Sequence, residues 1–318
     1  MSKLGEAKII KIFQQSFGKK SKFVPEDVEL LRFGKMYFVT KSDMLVESTD
    51  VPPGMKLDEI ARKSMVACVS DFSAKGVRPL YATVSLAIPR KFSKSKIKKL
   101  AFGFMKASRE FGVKIIGGDT NEGKEIVIEV SMFGIAQKIV NRNGAKSGDI
   151  IVTSGPFGYT LSGLKIILNH YKADPKFIKK SKRQVFAPSP KLKFGVSVAR
   201  YLSSSMDSSD GLSTTLNEMS RQSSKKFVIS KLPSHYDVEK FAKTNRIRFT
   251  DLVFNGGEEY EIVATVSQEN LSKIRKIARI QKIPLFEIGR VTKGKNVIYQ
   301  QENKITTIQD RGWLHFKS

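Results

Sequence analysis

The apolar positions of this chain switch repeatedly between a spacing of three or four and short β-branched or alternating runs, so helices and strands interleave along it. Helical spacing marks 57–76, LDEIARKSMVACVSDFSAKG, closed by Gly76, a residue type at which helices end. The same spacing marks 93–112, 159–171, 191–202, 211–224 and 267–282, the last with Ser267 placed as an N-cap. Strands are predicted at 35–43, 80–88, 113–120 and the strongly β-branched 125–137. Further strands are predicted at 150–156, 226–232, 259–266 and 285–292. Between the two groups NRNGAKSGD (141–149) is polar and glycine-rich, which reads as a boundary. The pattern predicts a two-domain chain of mixed α+β or α/β class, with domains over 1–145 and 146–318.

The N-terminal stretch MSKLGEAKIIKIFQQSF starts with a basic residue but then mixes charged and apolar positions, with Ile9, Ile10, Phe13 and Phe17 on one helical face. That predicts an amphipathic helix and not a signal peptide, which needs an unbroken apolar stretch and a small-residue cleavage site. No run of about 18 apolar residues occurs, so no membrane span is expected and a cytoplasmic protein is. The single cysteine, Cys68, excludes an intrachain disulfide, and with three histidines it leaves no cysteine/histidine zinc framework.

Charge alters the picture. With 56 Lys+Arg against 30 Asp+Glu, the net charge is +26 and the surface attracts anions. The basic clusters at 19–22, 90–99 and 179–183 are scattered, and that at 90–99 shares a helix with Ile97, Leu100, Phe104 and Ala107. They read as solvated faces over buried ones. No zinc-finger, RRM, KH or basic-zipper signature supports a nucleic-acid partner.

In a chain so poor in acids, the ones beside glycine, serine or strand ends stand out: Glu26 and Asp27, Asp43, Asp71, Asp119, and Asp207 with Asp210 in MDSSDGL. Singly, each reads as a turn or a helix cap. Together they form an oxygen-only ligand set that suits magnesium, which binds carboxylates, waters and substrate phosphates. Such ions clamp a phosphoryl group during in-line transfer. Gly117 and Gly118 permit close backbone approach to a ligand just before Asp119. Neither G-x-x-x-x-G-K-[ST] nor G-x-G-x-x-G is present, so any ATP is held by metals and dispersed loops.

Taken in order, LGEAKIIKIF (4–13), SDMLVES (42–48), SDFSAKGVRP (70–79), IIGGDTNEG (115–123), NRNGAKSGDIIVTSGPFG (141–158), MDSSDGLSTTL (206–216), NGGEEYEI (255–262) and GWLHF (312–316) closely resemble the thiamine-monophosphate kinase family. Its superfamily also holds aminoimidazole ribonucleotide synthetase, selenophosphate synthetase and HypE. The resemblance implies an aminoimidazole-ribonucleotide-synthetase-like fold, with a β-rich N-terminal domain that forms homodimers and a C-terminal α/β domain. It implies transfer of the ATP γ-phosphoryl group to thiamine monophosphate. It implies magnesium contacts at Asp27, Ser42, Asp43, Asp71, Asp119, Asp207 and Asp210, and nucleotide contacts at Gly118, Asp119, Arg142 and Ser209. It places the thiamine substrate at Asp50, Glu258 and Trp313. No general base is implied, because the acceptor phosphate is already ionised; Asp210 and Arg142 assist through metal and charge.

Departures from the family pattern fall near the site. Pro25 and Glu26 replace a Gly-Asp pair, Lys41 stands where a small hydroxyl residue is common, Asp50 takes the place of a histidine, and Leu314 that of an aspartate. Two other readings remain open on the residues alone: a sibling enzyme resembling aminoimidazole ribonucleotide synthetase, and a basic nucleic-acid-binding protein whose acids are caps. Selenophosphate synthesis is disfavoured because Cys68 lies within a helical apolar pattern.

Overall fold

In this computed structural model residues 5–17, 24–302 and 304–313 are described. The basic run at 19–22 and Leu314 lie outside them.

The first half begins with helix α1 (Glu6–Ser16), then strands β1 (Glu29–Phe33) and β2 (Met36–Val46). A single helical turn α2 (Glu47–Asp50) leads to the long helix α3 (Leu57–Lys75) and strand β3 (Pro79–Pro89). Helix α4 (Lys94–Phe111) is followed by β4 (Lys114–Gly117), β5 (Thr120–Gly123) and β6 (Val127–Ala136). These strands form one sheet in the order β1-β2-β6-β3-β4, with β5 also on β3. Alternation along β2 and β6 turns Val39, Leu45, Val130 and Met132 to one face, where Met65 and Phe72 of α3 pack against them. The opposite face leaves Leu31, Met44, Tyr81 and Ile135 exposed. Ile10, Phe13 and Phe17, predicted as the apolar face of α1, are exposed as well.

The second half starts with β7 (Ile150–Thr153), α5 (Tyr159–Asn169), α6 (Pro175–Phe186) and α7 (Leu192–Val198). Next come β8 (Leu202–Asp207), α8 (Leu212–Ser223), β9 (Lys226–Ile229), α9 (Tyr236–Thr244) and α10 (Phe249–Asn255). It ends with β10 (Ile262–Val266), α11 (Gln268–Ile280), β11 (Phe286–Thr292), β12 (Val297–Gln301) and β13 (Lys304–Thr307). Its sheet runs β13-β12-β9-β11-β7-β10-β8. β7 and β10 are buried along their whole length because helices cover both faces.

Helix α3 belongs to both halves. Its C-terminal turns pack on α7 and β8 as well as on the first sheet. Gly195 of α7 lies so near that a Cβ would overlap the Ser73 carbonyl, and one on Gly76, the left-handed residue closing α3, would overlap Ala199. The site is therefore built on a helix held from two sides.

Several expectations need correction. β2 does not end at Asp43 but runs on to Val46, carried by its ten-residue pairing with β6. Asp71 is no cap: it lies inside α3, buried. The helix expected over 191–202 stops at Val198, passes through a 3-10 turn and becomes β8 at Leu202. The strand expected from Glu259 starts only at Ile262, because Glu258 and Tyr260 take positive φ angles of 60° and 52° that break extension. Ser267 holds the N-cap position of α11, but its side chain makes no capping bond. Among the described residues no helix is long and apolar enough to cross a membrane.

Candidate active site

Three carboxylates from distant stretches meet at the joint between the halves. Asp27 precedes β1, Asp71 lies near the end of α3, and Asp207 ends β8. Each offers one oxygen such that all three lie within 4.8 Å of one another, and all three residues are buried. Ser70 Oγ donates to Asp207 Oδ2 at 2.8 Å, linking α3 to β8.

The charges around them are unequal. Asp27 is held by Arg142, whose Nε donates to Oδ1 at 2.7 Å, and by Lys75, whose Nζ lies 2.7 Å from Oδ2. The Lys75 contact is a charge contact and not an aligned hydrogen bond, since Oδ2 makes none. Burial alone would push Asp27 up, but Lys75 and Arg142 together hold it below the usual carboxylate range. Asp71 goes the other way. Burial pushes it well up, and Asp207, Asp27 and Asp43 add to this against the opposing pull of Lys41, whose Nζ lies 3.1 Å away. Burial and then Asp27 raise Asp207 to about 7. A buried set of oxygen donors whose negative charge is only partly offset by Lys41, Lys75 and Arg142 fits a small divalent cation.

Asp43, on the same strand face as Lys41 two residues away, contributes to the field at both Asp71 and Lys41. Ser42 points elsewhere. Strand alternation turns its side chain to the exposed sheet face, where its hydroxyl donates to Glu129, so the expected contact can come only from its main chain. Asp119 is exposed in the turn from β4 to β5, and Asp210 is exposed just before α8; neither joins the three-carboxylate group. Gly118 is required by packing: a Cβ there would overlap the Val84 carbonyl of β3, whereas Gly117 has open space around it. The close approach expected of that glycine pair is thus to β3. Gly211, at φ 115°, is the N-cap of α8 and turns the chain from Asp210 into the helix.

Hydrogen bonds connect Glu258 with Ser209, Trp313 with Asp210, and Asp50 with Glu258 by way of Lys63. Glu258 N donates to the Ser209 carbonyl, and Trp313 N donates to the Asp210 carbonyl at 2.9 Å. Trp313 stands about half exposed beside them. The Asp50 carboxylate accepts from Val46 N at 2.7 Å and so ties α2 to the end of β2. Glu26 is not idle: it accepts from Lys75 Nζ at 2.7 Å and from Arg142 N at 3.0 Å.

Lys63, Ser70 and Lys75 were not singled out from the sequence. The signal was present, since Lys63, Asp71 and Lys75 are spaced by eight and four and so share one side of a helix otherwise rich in apolar residues.

A protein from Nitrosopumilus maritimus (strain SCM1) named thiamine-monophosphate kinase is 53% identical over 317 residues, with 100% of both chains covered. The chain belongs to the thiamine-monophosphate kinase family. A second member, from Pyrococcus horikoshii, is 33% identical over 319 residues, covering 100% of this chain and 98% of that one. The family described as AIR synthase related protein matches with its N-terminal domain over residues 25–136 and its C-terminal domain over 146–301. The structure of AaThiL complexed with AMPPCP and TMP superposes with a TM-score of 0.86 at 24% identity, covering 98% of this chain and 97% of that one. That likeness is one of fold: two units of mixed helix and sheet, as the family pattern implied.

Proposed function

We propose that this chain transfers the γ-phosphoryl group of ATP directly to the phosphate of thiamine monophosphate, giving thiamine diphosphate and ADP. Family membership supports the reading, and so does the likeness to AaThiL, which was solved with AMPPCP and TMP. The observation that carries it is the meeting of Asp27, Asp71 and Asp207 at the joint of the two halves.

The task is to bring two anions together. An acceptor phosphate oxygen attacks the γ-phosphorus in line as the bond to the ADP oxygen breaks; the acceptor is already ionised, so no side chain takes a proton. Asp27, Asp43, Asp71, Asp119, Asp207 and Asp210, with the main chain of Ser42, would hold magnesium ions, whose charge when bound neutralises the meeting phosphates. Gly118, Asp119, Ser209 and Arg142 position the nucleotide, the guanidinium matching phosphate geometry. Asp50, Glu258 and Trp313 receive the thiamine end, where an indole face suits a cationic thiazolium or a flat pyrimidine. Domain limits of 1–145 and 146–318 keep each sheet in one unit. The exposed apolar sheet face with Leu31, Met44, Tyr81 and Ile135 supports a homodimer joined through the N-terminal domains.

The test is a phosphoryl-transfer assay of the purified chain with ATP and magnesium, offered thiamine monophosphate and free thiamine side by side. Stoichiometric ADP and thiamine diphosphate from the first, and no product from the second, is the expected result. ADP release indifferent to thiamine monophosphate would overturn it.

A further inference from the structure

Lys63 is 3% exposed, a burial that lysine tolerates only when its ammonium is fully engaged. Its Nζ lies 2.7 Å from Glu258 Oε1 and donates to Glu258 Oε2 at 2.9 Å and to the Asp50 carbonyl at 2.6 Å. One ammonium thus joins three parts of the chain: α3 through its own backbone, the end of α2, and the loop before β10. All three of its contacts are to residues placed at the thiamine end of the site, Glu258 and Asp50.

Glu258 needs that support. Its backbone is at φ 60°, outside the range that non-glycine residues favour, so its side chain leaves the chain in an uncommon direction. It stays part-exposed while its partner is almost fully enclosed. Both Glu258 carboxylate oxygens are therefore fixed by Lys63, and the part-exposed side chain keeps further lone pairs for a ligand. A carboxylate so held accepts hydrogen bonds from a ligand in a set direction.

We propose that Lys63 is a positioning residue for the acceptor substrate: it fixes the Glu258 carboxylate and the Asp50 main chain so that the site selects a ligand edge bearing N–H donors. This rests on thiamine monophosphate being the acceptor, whose aminopyrimidine carries such an edge. Lys63 bonds directly to Glu258 and Asp50 and not to Asp27, Asp71, Asp207 or Ser209, so its loss should fall first on the acceptor.

The experiment compares wild type, Lys63→Met, Glu258→Gln and the double variant in the same phosphoryl-transfer assay, with thermal unfolding of each. Lys63→Met should raise KM for thiamine monophosphate roughly tenfold or more, as expected for losing a charge-assisted contact, with KM for ATP unchanged. Glu258→Gln should do the same, and the double variant should be no worse than the poorer single one, because the two act as a unit. Equal increases in both KM values, or additive losses in the double variant, would reduce Lys63 to a structural role and overturn the proposal. If Lys63→Met does not fold, Glu258→Gln still decides: an unchanged KM for thiamine monophosphate overturns it. Absence of turnover by the wild type would instead refute the function itself, whereas normal wild-type turnover beside an unaffected Lys63→Met refutes only the role of Lys63.

Discussion

Lys75 Nζ, a cation from the first half, donates to the main-chain carbonyl of Ser205 in the second at 2.8 Å. The same ammonium lies 2.7 Å from both Glu26 and Asp27, with no part of the lysine exposed. It sets a cationic side chain inside the joint, against the carboxylates of Glu26 and Asp27.

Removing that charge should be costly. Lys75→Met leaves the buried Glu26 carboxylate without its cation and Asp27 with Arg142 alone, and breaking a buried pair typically costs about 3–5 kcal/mol. Thermal or urea unfolding of the variant should show a loss on that scale, partly recovered when Glu26→Gln is added. An unchanged midpoint for Lys75→Met would mean that the ammonium gains nothing from its position.

Asp210 offers the opposite case. It is exposed at the start of α8, so Asp210→Asn should keep the fold and the unfolding temperature. Turnover should still drop by at least the roughly 10–100-fold that perturbing a metal site's outer partners costs. A variant with normal kcat would return Asp210 to the role of a turn residue.

Stability should depend on pH in a definite direction. Burial raises Asp207 and Glu259 to about 7, and raises Asp71 as well. A raised carboxyl binds more protons folded than unfolded, so its contribution is present below about pH 4 and fades as pH rises towards about 7. Asp27 is lowered, and its contribution is lost only at more acidic pH, below this window. Without divalent ions the unfolding temperature should therefore fall between about pH 5 and pH 7 from these groups. Magnesium, by neutralising the cluster, should raise it more at pH 7.5 than at pH 5.5. Equal stabilisation at both pH values would count against the buried acids as ligands.

Trp313→Ala should weaken binding of thiamine monophosphate with little change in the KM for ATP. Trp313 is held by its own backbone to Asp210, and its side chain stands about half exposed. Isothermal titration with each substrate separates the two effects, and an unchanged affinity for thiamine monophosphate would leave the ring a surface seal.

What could be read from the sequence follows from physics that is local. Helix α3 was legible from Leu57 to Gly76 because its periodicity and its left-handed terminus are both encoded in neighbouring residues. β6 was legible as a strongly β-branched run, and β3 and β11 as short apolar stretches carrying β-branched residues. β8 was not. LSSSMD carries almost no apolar signal and becomes a strand through its pairing with β10. α6, α9 and α10 were passed over because lysine-rich or short segments blur the periodicity. At the site, the acids of MDSSDGL stood out as a pair, but Asp207 faces inward at the end of a strand while Asp210 lies at the surface. Three residues of separation could not tell them apart. Strand alternation alone turns Ser42 away from its neighbour Asp43, but which of the two faces the core needed the pairing with Ser131 and Val130.

The shared helix has a consequence for traffic through the site. Phe72 and Lys75 are wholly enclosed, and α7 lies against the Ser73 carbonyl with room for no more than a glycine. Parting the two halves as a clamshell would strip this seam and strand its charges. The molecule is better seen as two walls fixed to one beam. Any movement that admits nucleotide and acceptor is then expected away from this seam. Side chains and short loops are the expected moving parts, because Asp71 sits inside a helix packed from both sides.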